Sequence, residues 1–167
     1  MTITELLLPE FDHEMASTRR VLERVPETKF DWKPHPKSFS MGDLASHIAN
    51  MIGWGETTMN ATEFDVAGVT PEQMNRCAKS SAELLSWFDA NVANVRKALA
   101  KSDAEYFVPW SLKRGPQVMF TMPRVACMRS FVMNHVIHHR AQLTVYLRLN
   151  NIPVPGLYGP SADEGNM

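Results

Sequence analysis

The sequence predicts an all-α protein, a four-helix bundle, on three observations. Four long segments place apolar residues at three- and four-residue steps, and no segment reads as a strand. The one long stretch without helical spacing falls between the third and fourth segments, where it would serve as a crossover. With 167 residues, no internal repeat and no low-complexity tract, a single domain over 1–167 is expected, large enough to bury a core without disulfides.

The first helix is expected over residues 4–25, where Leu8, Phe11, Met15, Leu22 and Val25 form the stripe and Arg19, Arg20, Glu23 and Arg24 lie elsewhere. Pro9 should bend or delay it, and Pro26 should stop it. Trp32-Lys33-Pro34-His35-Pro36 is then extended, because a residue preceding proline avoids the helical region. Ser40-Met41-Gly42-Asp43 reads as a cap opening a second helix over 41–60. Thr70-Pro71-Glu72-Gln73 is a start signal for a third, whose stripe runs Met74, Cys77, Ser81, Leu84, Phe88, Val92, Val95 and Leu99 and ends near Lys101. Residues 102–123, with Pro109, Gly115, Pro116 and Pro123, are expected to be irregular. The last helix starts at Pro123 or Arg124 and presents Val125, Met128, Val132, His135, His139, Leu143 and Tyr146, stopping at Asn150-Asn151 before an irregular tail.

Lysine and arginine number 17 against 18 acidic residues, so no global charge draws the chain to nucleic acid or to an anionic membrane. Cys77 and Cys127 lack metal or redox spacing and read as reduced thiols. The N-terminus has no basic region ahead of its short Leu run, and no stretch approaches the roughly 18 apolar residues of a span. A soluble cytoplasmic protein is expected.

The chemistry concentrates in Asn134-His135-Val136-Ile137-His138-His139-Arg140. His135 and His139 stand one turn apart on one face, and two imidazoles in an apolar stripe need partners for their nitrogens, which a cation supplies. His47 falls on the apolar face of the second helix, between Leu44 and Met51, where alone it reads first as a hydrogen-bonded core residue and second as a ligand. Three His ligands would leave a coordination position open, as in catalytic zinc sites. His138 points aside and reads as a neighbour of the site, with Gln142 one turn on as a hydrogen-bonding candidate. Cys127 lies eight residues, about 12 Å of helix rise, before His135 and reads as a small buried hydrophobe. His13, His35 and the Lys113-Arg114 pair read as solvated surface, the pair with a second reading as an anion contact. Asp43 is the carboxylate best placed for base chemistry, although helix capping is the simpler explanation for it, and no catalytic residue is assigned.

The stretch from Trp32-Lys33-Pro34 through Ser40 to His47, the segment Asn134 to Leu143, and the tail Pro153-Val154-Pro155-Gly156-Leu157-Tyr158-Gly159-Pro160 together resemble the DinB/YfiT-like superfamily. Ala141 departs from the glycine common there after the His-His-Arg run. The resemblance implies an up-down-down-up bundle with zinc or nickel held by the positions of His47, His135 and His139. It also implies a homodimer, which the apolar excess of Ile48-Ala49-Asn50-Met51-Ile52 supports. Relatives of this kind include S-transferases and isomerases using low-molecular-weight thiols such as bacillithiol or mycothiol. A metal-dependent, thiol-using transferase acting on a small molecule is therefore expected, against a metal-stabilised scaffold without turnover and, third, a metal-dependent hydrolase.

Overall fold

A computed structural model describes residues 1–74 and 76–165. Helix α1 (Ile3–Leu22) opens on a reciprocal cap: the Thr2 hydroxyl accepts from the Glu5 N–H at 3.2 Å while the Glu5 carboxylate accepts from the Thr2 N–H at 2.7 Å. Pro9 sits inside it with its ring on the exposed side. Ser40 and Asp43 build the same kind of cap for α2 (Met41–Met51), with the Asp43 carboxylate accepting from the Ser40 N–H and the Ser40 hydroxyl accepting from the Asp43 N–H. The second predicted helix is in fact two, because the chain breaks at Ile52-Gly53 before α3 (Trp54–Asn60). Gly55 lets α3 press onto the neighbouring helix, where a Cβ would meet Val95 at 2.9 Å.

The third predicted helix also divides. After the short α4 (Pro71–Met74), residues 76–78 are in no helix or strand, and α5 (Ser81–Ala98) starts afresh with the Ser80 hydroxyl accepting from the Glu83 N–H. Ser80-x-x-Glu83 is a second start signal that the apolar spacing masked. Asn75, which the predicted helix crosses, and the side chain of Met74, which heads its stripe, lie outside the described residues.

The main correction to the all-α expectation lies in residues 102–123. After α6 (Asp103–Tyr106), strands β2 (Pro109–Arg114) and β3 (Gln117–Pro123) form an antiparallel hairpin, and β1 (Glu63–Asp65) joins β2 in parallel, giving a three-stranded mixed sheet of order β1-β2-β3. Trp110 and Leu112 are buried while Ser111 and Lys113 are only half-buried, the period-2 pattern of a strand. Gly115 turns the hairpin with φ 57°, and Pro116 follows it, a sign pattern that fits a two-residue type II′ loop. A bulge after Leu112 leaves Met119 without a partner on β2. The expected crossover is thus a folded element.

The closing helix runs from α7 (Arg124–Ala126) through a π-helical stretch, Cys127–Met133, into α8 (Asn134–Leu149). Helices α1 and α2 each pack against both α5 and α8, so the four long helices form a ring around the main core. A second, smaller core of Trp110, Leu112 and Cys127 joins the sheet to the π stretch. Ile48, Ala49, Met51 and Ile52 are all buried within this one chain, so the apolar excess invoked for a homodimer needs no second copy. Among the described residues no helix is long and apolar enough to cross a membrane.

Candidate metal centre

A π turn takes in about one residue more than an α turn, so apolar spacing carried through it slips by one position. The buried face of α8 is accordingly Val136, Arg140, Leu143 and Leu147. His135 and His139, expected on the buried stripe, are half-buried at its edge. There they meet His47, which α2 brings in from the opposite side of the α2–α8 packing. Ring centroids lie 5.5 Å apart for His47–His135, 4.9 Å for His47–His139 and 4.6 Å for His135–His139. Each ring offers one nitrogen, and the three lie within 4.8 Å of one another. Zinc–nitrogen bonds of 2.0–2.1 Å in a tetrahedral set need nitrogens about 3.3 Å apart, so modest ring rotations would close this cluster on one ion. The residues fit a divalent metal.

The electrostatics favour the neutral imidazoles that a metal requires. Burial, reinforced by the neighbouring His139 and His135, pushes His47 down to about 4. His135 is lowered by burial and by His139; His139 is lowered by burial and by His138, against the opposing hydrogen bond to Gln142. That bond is short, 2.7 Å from His139 Nδ1 to Gln142 Oε1. An amide oxygen can only accept, so Nδ1 carries the hydrogen and Nε2 keeps its lone pair for an ion.

Aromatic rings wall the cluster. Trp54 stacks on Phe131 at 5.3 Å and lies 6.3 Å from His47 and 6.1 Å from His135, while Phe39 stacks on His47 at 5.6 Å. A cavity of about 380 Å³ opens beside His47, lined by Trp54, Phe131, Phe39 and residues of the sheet. Among the described residues no fourth His, Cys, Asp or Glu joins the group. His138 is exposed and outside the cluster, although its ring lies 4.9 Å from that of His139. Cys127 is fully buried against the Thr58 hydroxyl, His13 and His35 are exposed, and Lys113 pairs with Glu63. Sequence reasoning missed Trp54, Phe131 and the sheet residues as walls, and it placed Gln142 by its turn from His138 where the bond goes to His139.

The fold and the cluster together point to one family, and the DinB family model matches residues 1–166. The chain belongs to the DinB family. It is 47% identical over 166 residues to YrdA of Bacillus subtilis (strain 168), described as an uncharacterized protein, with 94% of this chain and 89% of YrdA covered. Its fold is similar to the crystal structure of a DinB-like protein from Bacillus cereus ATCC 10987, with a TM-score of 0.71 at 22% identity over 94% of this chain and 98% of that one. Membership of the DinB family and the three-His cluster are compatible with a metal-binding protein.

Proposed function

We propose that this DinB protein is a divalent-metal-dependent enzyme, with zinc or nickel held by His47, His135 and His139, that transfers a low-molecular-weight thiol to a small electrophilic molecule. One observation carries the choice of an enzyme over a metal-stabilised scaffold: the cluster has three donors among the described residues and adjoins a cavity, whereas structural zinc is normally closed by four protein ligands. A bound ion would supply acidification of a thiol or water in its open position. The chain's own residues do the rest. The three imidazoles stay neutral because burial penalises their charge, Gln142 fixes the His139 tautomer, and the walls of Trp54, Phe131 and Phe39 keep bulk water from the bound electrophile. The hydrolase alternative uses the same residues and differs only in the nucleophile.

The test is metal analysis of the purified protein followed by assay against an electrophile panel, with and without added thiol. We expect a metal-dependent rate that requires thiol and is lost in His47→Ala, with helical content retained. A rate that needs metal but not thiol selects the hydrolase. Metal bound with full occupancy in His47→Ala, or no turnover by the metal-loaded protein across the panel, overturns the enzyme reading.

A further inference from the structure

The cavity beside His47 is uneven in charge. Its walls are mainly aromatic and aliphatic, including Met51, Trp54, Trp110, Met119 and Phe131; among the described residues no carboxylate lines it, and Arg114 is its one arginine or lysine. The preceding residue is already neutralised, with Lys113 Nζ 3.2 Å from a Glu63 carboxylate oxygen across the β1–β2 pairing. Arg114 makes no ion pair among the described residues. Nor is it carried on a loose loop. It is the last residue of β2, opposite Gln117, and the next residue, Gly115, donates its N–H to Asp65 Oδ1 at 2.9 Å, tying the hairpin tip back to β1. The bulge that leaves Met119 unpaired adds that side chain to the same lining.

A guanidinium at the edge of an apolar chamber recognises a particular kind of molecule. An anion without an apolar body would gain nothing from the walls, and a neutral aromatic would leave Arg114 to solvent; a molecule with both parts uses both. The volume, about 380 Å³, falls within the usual range for small-molecule sites. We propose that this cavity binds a small anionic aromatic compound, its carboxylate or similar group paired with Arg114 and its ring held among Trp54, Trp110 and Phe131. Calling that compound the substrate rests on the enzyme reading above. Its binding does not, because neither the arginine nor the walls require the metal.

The probes are 2-naphthoate and its neutral counterpart 2-naphthamide, titrated into the full-length protein and followed by the fluorescence of the wall tryptophans. Each titration is run on chelator-stripped and on zinc-reloaded protein. Naphthoate is expected to bind about tenfold more tightly than naphthamide in both forms, the increment of one charge-assisted contact. Arg114→Gln should erase that difference without changing naphthamide affinity, and Arg114→Lys should restore part of it. Arg114 is exposed, so circular dichroism and melting should match the parent. Equal affinity for the two probes, no saturable binding of either, or a preference for naphthoate that survives Arg114→Gln each overturns the proposal. If neither zinc nor nickel binds, the enzyme reading fails, while the Arg114 dependence in stripped protein still decides this one.

Discussion

Gln142→Ala should loosen the metal without touching the fold. The Gln142 side chain is exposed and its recorded contact is the 2.7 Å bond to His139 Nδ1. Deleting it frees the His139 ring to rotate and to move its hydrogen to Nε2, the nitrogen needed by an ion. Partners of this kind commonly account for about 10–100-fold in metal affinity, or about 1.4–2.7 kcal/mol. Water can reach this exposed position and replace part of the contact, so we predict a loss near the lower end, about tenfold. Alanine is the better helix former, so stability should not fall and any lost affinity belongs to the site. Zinc affinity is measured by competition against a chromophoric chelator, with urea unfolding of the metal-free variants alongside. Gln142→Glu keeps an acceptor in place and should retain binding. Unchanged affinity in Gln142→Ala, or an equal loss in Gln142→Glu, would refute a role in orienting His139.

Three further outcomes are expected. His138→Ala should retain full metal stoichiometry, since the residue is exposed and outside the cluster; metal analysis showing an empty protein would move a ligand to His138. Arg140→Ala should destabilise by about 3–5 kcal/mol in urea, because it removes the countercharge of the Glu14 carboxylate, 2.7 Å from Arg140 Nη2 and with only 7% of its side chain exposed, leaving it the neutral Tyr158 hydroxyl; a loss below about 1 kcal/mol would contradict this. Metal-free protein should lose stability as pH falls from 6.5 toward about 4, since the unfolded chain protonates its histidines in that window while His47 stays neutral in the fold; a denaturation midpoint flat across the window would contradict this.

Much of this was legible in the residues, and the failures have physical causes. The caps at Ser40 and the proline stop after α1 are local, so sequence alone exposes them. The hairpin was hidden because two of its prolines stand at the outer ends of the strands, Pro109 opposite Pro123, and the third, Pro116, in the turn, where they do no harm to the ladder yet read as loop punctuation. The Trp110–Leu112 and Phe120–Met122 alternation between them was the available strand signal. A second overlooked signal was charge on apolar positions: Glu14 stands three residues after Phe11 and Arg140 four after Val136. The structure joins them in a buried pair, with the Tyr158 hydroxyl donating to Glu14 at 2.8 Å and so pinning the tail across α1 and α8. Opposite charges on two buried stripes imply contact between those stripes, and here α1 does pack against α8.

The histidines show how a small error of register bears on function. A continuous 3.6-residue stripe from Met128 through Val132 would carry His135 and His139 into the bundle core, sealed from any substrate. The π stretch Cys127–Met133 shifts that register by one residue, gives the core to Val136, Arg140, Leu143 and Leu147, and leaves both imidazoles at the edge beside His47. His47 in turn lines the cavity, so the cluster stands between core and chamber. Its position combines two features that the proposed enzyme would require: burial enough to keep the three imidazoles neutral, and one face, at His47, on the chamber.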